Sequence, residues 1–361
     1  MDKKFLSNAI NLAKKNNGIT APNPSVGCVI VKNNEIIATG ITGKEGSPHA
    51  EYAAINSVKD KNLLKGSSIY VSLEPCCHFG KNPPCIDIIV KNKIARVIIA
   101  TIDKNPKISG KSIEILQKNG IEVKILSQND TDEFYEPFFK AVTKKIPYIS
   151  LKFGVSLDGK IATKDFDSKW ITSQESRLYT HHLRSINDAI LIGSGTLKKD
   201  NPLLDCRILG LENYSPKRFV IANNLDFDEN LQLFQSALKF PVYILLNKNF
   251  RGNISAFEKF GVKIILCEEK NGDVDLQFAL KKIYENGVNS VLVEGGSKIA
   301  TNFLQQNLVD KLIWMQSKKI IGNDGLAAIG ELGFSKVSQA LNNFTKKEFL
   351  EFVDDVILIF S

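Results

Sequence analysis

The sequence predicts a layered α/β protein built from two domains. Its 361 residues exceed the usual reach of a single hydrophobic core. Its apolar fraction of 43% is enough to fill two. Short apolar runs alternate with stretches of helical spacing along the whole chain, the pattern of strands and helices packed in layers.

The first helix places Phe5, Leu6, Ala9, Ile10, Leu12 and Ala13 on one face and stops at Gly18. Asparagines and lysines interrupt this segment, so it lacks the apolar core of a secretion signal. "VGCVIV" and "EIIATG" flank "KNN" as a hairpin. "HAEYAAINSV" reads as a helix, "SSIYVSLEP" as a strand, "CIDIIVKNK" as a short helix and "ARVIIATI" as a strand. "SIEILQKNG" and "IEVKIL" add another helix and strand, and "TDEFYEPFFKAVTKKIP" a helix ending at Pro147. A fresh strand, "YISLKFGVSLDGKIAT", follows, which places a domain boundary near residue 146 and gives domains 1–146 and 147–361. In the second domain "AILIG", "RFVIA", "PVYILL", "KIILC", "SVLVEGG" and "KLIWMQ" are strand-like, with helices among them.

Net charge is +8, but the lysines are scattered among asparagines, which suits a solvated basic surface better than a nucleic-acid groove. No run approaches the roughly 18 apolar residues of a membrane span. The expectation is a cytoplasmic protein, in a compartment where disulfides are rare.

Three of the six cysteines fall in "SLEPCCHFGKNPPC", residues 72–85. In a reducing compartment a metal or a reactive thiol explains such a cluster better than a disulfide. Upstream, "PHAEYAA" sets His49 two residues before Glu51. A zinc deaminase needs one histidine and two thiolates on the metal, an open fourth position for water, and a carboxylate that is not a ligand. His49, Cys76 and Cys85 supply the ligands. Glu51 supplies the proton carrier, and a zinc-bound water has its pKa lowered to roughly 7. Cys85, at a helix start, is expected to gain from the helix dipole. A competing arrangement closes a structural zinc site with Cys76, Cys77, His78 and Cys85, but it leaves the His49–Glu51 pair unexplained. Cys28, Cys206 and Cys267 read as structural.

Cytidine and transfer-RNA adenosine deaminases carry two residues between their cysteines; here eight separate Cys76 from Cys85. That spacing, with "APNPSVGCVIV", "PHAE" and "EPCCHFGKNPPC", resembles the deaminase of riboflavin biosynthesis. Cys77 departs from the serine or threonine more usual there. The resemblance implies that Asn23, His78 and Lys81 face the substrate.

The second domain has no G-x-G-x-x-G fingerprint. It has two glycine loops after strands, "AILIGSGTLKKDNPLL" and "SVLVEGGSKIATNFL", and a helix start of the second kind can hold a phosphate. With "LKFGVSLDGKIAT", "SKWITS", "HHLRS" and "TLKKDNPLLDCR", they resemble the reductase half of the same bifunctional family. The resemblance covers nearly the whole chain. It implies a cytidine-deaminase-like three-layer domain followed by a dihydrofolate-reductase-like α/β domain, with zinc and NADPH as cofactors. It further implies that Gly154, Trp170, Thr196, Asp200, Asn223, Gly295, Gly296 and Ser297 contact the cofactor. Ser168, Arg184, Leu204, Arg207 and Glu294 would contact the substrate, the arginines because a phosphate ester wants planar cations. Asn223 stands, after Ala222, where many relatives have an Asp-Ser-like pair. The implied activity is deamination of a phosphoribosylamino-diaminopyrimidinone, then reduction of its ribosyl group to ribityl, by a homo-oligomer that binds no nucleic acid. The rivals are a nucleic-acid base deaminase and a non-catalytic protein with structural zinc.

Overall fold

Along one strand Cys28 and Ile30 enter one apolar cluster while Val29 and Val31 enter another, so this sheet is covered on both faces. The computed structural model, which describes residues 1–80, 82–127 and 129–361, divides into two units. The first comprises Met1–Ile146 with Gly287–Asn289, the second Pro147–Asn286 with Ser290–Ser361.

The first unit begins with α1 (Asp2–Lys15), then β1 (Gly27–Lys32) and β2 (Glu35–Ile41), a hairpin turned by Asn33 and Asn34 at positive φ. There follow α2 (Ala50–Ser57), β3 (Ser68–Val71), α3 (Cys85–Lys91), β4 (Arg96–Ile99), α4 (Lys111–Lys118), β5 (Glu122–Ile125) and α5 (Asn129–Lys144). The sheet order is β2–β1–β3–β4–β5, antiparallel through β3 and parallel beyond it. Phe5, Leu6, Ala9 and Ile10 of α1 cover one face, against Val29, Val31, Tyr70 and Ile98. α2, α3 and α4 cover the other through Ala54, Ile55, Ile86, Ile89 and Leu116. Each isoleucine fully buried there contributes about 2 kcal/mol. At Gly40 a Cβ would overlap the Ala50 carbonyl oxygen and the Ala54 nitrogen, so only glycine lets α2 lie against β2. That close approach sets the height of the α2 N-terminus above the sheet.

The second unit opens with β6 (Tyr148–Val155), β7 (Lys160–Ala162), α6 (Gln174–Ile186), β8 (Ala189–Gly193), α7 (Ser194–Asp200) and β9 (Lys217–Ala222). It continues with α8 (Gln232–Gln235), β10 (Val242–Asn247), α9 (Ser255–Glu258), β11 (Lys263–Cys267), β12 (Glu269–Lys270), β13 (Asp273–Val274) and α10 (Leu276–Glu285). β14 (Ser290–Glu294), α11 (Ser297–Gln305), β15 (Lys311–Ser317), β16 (Leu326–Ala327), β17 (Lys346–Glu351) and β18 (Asp355–Phe360) complete it. Nine strands form one sheet, β11–β10–β9–β8–β14–β6–β15–β18–β17. The strands from β11 to β15 run parallel, and β18 and β17 close the sheet antiparallel. The carboxyl ends of β6, β14, β8 and β9 therefore lie side by side, the usual ligand-binding edge of a parallel sheet.

Two departures from the sequence reading have physical causes. The run "YISLKFGVSLDGKIAT" is not one strand: it breaks between Val155 and Lys160, where Ser156 Oγ donates to Asp158 Oδ1 at 2.6 Å and Gly159 sits at φ 74°. The pair β17–β18 has no counterpart among the sequence-predicted strands; β17 is exposed almost throughout and has no apolar alternation to mark it. Among the described residues no helix is long and apolar enough to cross a membrane.

Candidate active sites

α2 and α3 cover the same face of the first sheet, and their N-termini bring the metal-capable side chains together. His49 precedes α2, Cys85 opens α3, and Cys76 lies in the loop after β3. His49 Nδ1 stands 3.2 Å from Cys85 Sγ and 3.4 Å from Cys76 Sγ, and the ligand atoms of all three lie within 4.8 Å of one another. One imidazole and two sulfurs at this spacing fit a tetrahedral zinc that keeps one position open. Hydrogen bonds from Cys85 and His49 draw the Cys76 thiol down to about 4, whereas burial pushes the Cys85 thiol well up. The first amide of α3, Cys85 N–H, donates to Cys76 Sγ at 3.3 Å. The benefit of that helix start thus falls on Cys76, not on Cys85 itself as the sequence suggested. A divalent cation bound by the trio would hold both sulfurs as thiolates.

Glu51, on the first turn of α2, is buried beside this trio, and burial followed by the Cys76 charge pushes its carboxyl up to about 7. A cavity of about 340 Å³ opens from His49, Glu51 and Cys76 and is also lined by Asn23 and His78. Asn23 Nδ2 donates to the Gly46 carbonyl at 3.3 Å. Nδ1 of half-buried His78 has no hydrogen-bond partner among the described residues. Lys81 lies outside the described residues. Cys77 Sγ turns to the Lys107 carbonyl at 3.9 Å and is not in the metal-capable group. The closed set Cys76–Cys77–His78–Cys85 is therefore not assembled. Cys28, Cys206 and Cys267 are free and buried.

In the second unit a cleft of about 650 Å³ runs along the carboxyl ends of the parallel strands. Gly154 of β6, Glu294 of β14 and Gly193 of β8 form its floor, with Asn223 just past β9. Glu294 is buried and takes a bidentate grip from Arg184, Nε to Oε1 at 2.8 Å and Nη2 to Oε2 at 3.0 Å. Arg184 Nη1 donates to the Asp205 carbonyl at 3.1 Å, and Lys152 Nζ lies 3.5 Å from Glu294 Oε2. Burial alone would raise the Glu294 carboxyl, but Arg184 and Lys152 hold it at about 2. Arg184 thus lines the cleft with its donors on Glu294 and a backbone carbonyl, not turned outward for a phosphate. Arg207 is more available: its side chain is 62% exposed, with Nε 3.3 Å from Asp205 Oδ1.

The remaining cleft residues form its rim and its glycine loop. Trp170 is exposed, with the Arg177 guanidinium 4.4 Å from its ring centre, so it is no core aromatic. Ser168, Asp200 and Leu204 line the wall, Leu204 at φ 57°. Gly295, Gly296 and Ser297 turn from β14 into α11 along the same cleft. Gly296 N–H donates to Thr196 Oγ1 at 3.1 Å, so that amide is engaged within the chain. The open strand edge and its glycine turn suit an extended dinucleotide.

Two family models match this architecture in chain order. The zinc-binding region of cytidine and deoxycytidylate deaminases matches residues 1–101, and the RibD C-terminal domain matches residues 147–358. The riboflavin biosynthesis protein RibD of Aquifex aeolicus (strain VF5) is 37% identical over 362 aligned residues, covering 100% of this chain and 98% of that protein. The chain belongs to the RibD family. RibD of Escherichia coli (strain K12) is 32% identical, covering 99% of this chain and 98% of its own. A crystal structure of a Thermotoga maritima diaminohydroxyphosphoribosylaminopyrimidine deaminase/5-amino-6-(5-phosphoribosylamino)uracil reductase aligns at TM-score 0.87 and 35% identity, covering 99% and 98% of the two chains. RibD of Acinetobacter baumannii aligns at TM-score 0.89 and 30% identity, with the same coverage. The chain is accordingly a bifunctional enzyme of riboflavin biosynthesis, a zinc-dependent deaminase joined to an NADPH-dependent reductase. Its folds are the cytidine-deaminase-like and dihydrofolate-reductase-like ones of RibD proteins.

Several residues of this RibD chain escaped the sequence reading. Asp103 and Asn105, in the loop after β4, line the deaminase cavity, and burial lifts the Asp103 carboxyl to about 7. Glu74 braces that loop by accepting Asp103 N–H at 3.2 Å and Gly110 N–H at 3.0 Å. Lys152 carried a usable signal, since a lysine inside the apolar run "YISLKFGV" needs a buried partner. Asp273 and Lys298 carried none, because only the folded cleft brings them to one wall.

Proposed function

We propose that residues 1–146 deaminate 2,5-diamino-6-(5-phosphoribosylamino)pyrimidin-4-one. Residues 147–361 then reduce the product's ribosyl group with NADPH, giving 5-amino-6-(5-phosphoribitylamino)uracil. The observation that carries the deaminase reading is the trio of His49, Cys76 and Cys85 with the buried Glu51 carboxyl beside it and outside it. A zinc ion held by the trio supplies a water ionisable near neutral pH. Glu51 would carry one proton of the attacking water to the ring nitrogen and then the second, from the hydroxyl of the resulting adduct, to the departing amine, which leaves as ammonia. Asn23 and His78 orient the pyrimidine, and Lys81 completes the substrate contacts.

NADPH, when bound, supplies the hydride for the second step. Converting a ribosylamine to a ribitylamine adds hydride at the anomeric carbon and a proton at the ring oxygen, so the cleft needs a proton-bearing group. Lys152 Nζ meets that need: it is largely enclosed and lies 3.5 Å from Glu294 Oε2 on the cleft floor. Arg184 holds Glu294 in register, Arg207 receives the substrate phosphate, and Ser168 and Leu204 shape the pocket. Gly154, Trp170, Thr196, Asp200, Asn223, Gly295, Gly296 and Ser297 seat the cofactor. A phosphorylated pyrimidine is thus the substrate, with no nucleic-acid partner, and the working form is a homo-oligomer in the cytoplasm, where the zinc thiols stay reduced.

The test follows ammonia release and nicotinamide absorbance together, with the phosphorylated diaminopyrimidinone as substrate. Ammonia without NADPH, followed by NADPH oxidation only after deamination, is the expected result. NADPH oxidation preceding ammonia would overturn the order, and ammonia with no oxidation would overturn the reductase assignment.

A further inference from the structure

The reductase cleft has two chemically distinct ends. By β6 lies the enclosed network of Lys152, Glu294 and Arg184. At the other end, past β9, a small hairpin reaches the wall. β12 and β13 are joined by Asn271 and Gly272 at φ 56° and 83°, the residues and backbone that a two-residue hairpin turn requires. Glu269 Oε1 accepts Gly272 N–H at 2.6 Å and fixes the turn. The hairpin thereby delivers Asp273, whose Oδ1 accepts from Asn223 Nδ2 at 2.7 Å and from Lys298 Nζ at 3.1 Å. A single carboxylate oxygen gathers an amide from the end of β9 and an ammonium from the first turn of α11. All three residues line the cleft.

Strand order says which part of a dinucleotide meets this cluster. β6, β14, β8 and β9 present their carboxyl ends in sequence across the sheet. A cofactor whose nicotinamide lies at β6, beside Lys152, extends over the glycine turn of β14 and brings its adenosine to β9. NADPH differs from NADH only there, by a phosphate on the adenosine ribose. Lys298 and Asn223 are the donors such a phosphate would take, and Asp273 already holds both.

We propose that Asp273 is an intrinsic competitor for the ribose phosphate of the cofactor, and that its contest with Lys298 and Asn223 sets how strongly this cleft prefers NADPH to NADH. The inference rests on the reductase reading above. To receive the phosphate, Lys298 must leave Asp273, and the carboxylate then faces a second anion. An unphosphorylated ribose makes no such demand: Asp273 accepts from its hydroxyl while keeping Lys298. The side chains of Lys298 and Asp273 are 77% and 39% exposed, so the exchange is easy and salt-sensitive. Asp273 narrows the gap between the two cofactors and Lys298 widens it.

Calorimetric titration of the full chain with 2′,5′-ADP and with 5′-ADP gives the preference as a ratio of affinities. Asp273→Asn keeps the hairpin and removes the charge, and the ratio is expected to rise about threefold to tenfold, the range for a solvent-exposed charged contact. Lys298→Gln is expected to lower it by about the same factor. An unchanged or lower ratio in Asp273→Asn, with wild-type protein binding 2′,5′-ADP, overturns the proposal and leaves the reductase reading standing. Wild-type protein that binds neither probe nor NADPH overturns both.

Discussion

Two buried glutamates, one in each unit, are driven in opposite directions. Glu51 sits in a cavity where, among the described residues, no lysine or arginine lines the wall, and its carboxyl rises to about 7. Glu294 is equally buried, but Arg184 and Lys152 face it and it falls to about 2. Burial disfavours the charged form in both; the nearby cations decide the outcome. The difference suits the two tasks. A carboxyl near neutrality can take up and release a proton during turnover, whereas one held far below it is a fixed charge that orients its partners.

The sharpest way to break this contrast is to neutralise each glutamate. Glu51→Gln should slow ammonia release about 10³-fold, the loss expected for a general acid–base group. Zinc content by metal analysis and reductase turnover of supplied deaminated intermediate should both survive. Zinc loss in this variant would place Glu51 among the ligands. Glu294→Gln should act differently, leaving two enclosed cations without a counter-ion and costing the second unit about 3–5 kcal/mol. Urea denaturation followed by Trp170 and Trp314 fluorescence, both tryptophans of the chain lying in this unit, measures it. An unshifted midpoint would show the network to be energetically idle.

Acid titration sharpens the same point at smaller scale. The Glu294 carboxyl is held at about 2, below its ordinary value near 4.3, so its share of stability is present above about pH 4.3 and lost as the pH falls towards 2. That share is on the order of 3 kcal/mol, and melting temperatures of wild type and Glu294→Gln should converge across the window. Parallel curves would mean that the carboxyl titrates alike in folded and unfolded chains. The smallest effect belongs to the rim: Arg177→Ala removes the cation over Trp170 and should raise the KM for NADPH by about threefold, with kcat little changed. A larger loss in kcat than in KM would move Arg177 from the rim to the reacting centre.

The two sites also differ in how far they could be read before folding. A zinc site compresses its requirements into few residue types, so the candidates His49, Glu51, Cys76 and Cys85 stand out in two short stretches. The cleft of the second unit is lined by Lys152, Arg184, Asp273 and Glu294, more than 140 positions from first to last, and most of its character lies in who pairs with whom. Sequence could nominate Arg184 as a cation but could not show that Glu294 claims it. Layers and most strands were legible from apolar runs. The break after Val155 and the exposed strand β17 were not, because a turn stabilised by side chains and a solvated edge both lack periodic apolar signals.

The glycine beneath α2 makes the metal site a gauge of backbone height. A methyl group at position 40 would need α2 to lift by roughly 1 Å to restore ordinary contact distances. A tetrahedral zinc site tolerates displacements of only about 0.2 Å. Gly40→Ala should therefore weaken zinc retention under a chelator without touching a ligand, because His49 and Glu51 ride on the helix while Cys76 and Cys85 do not.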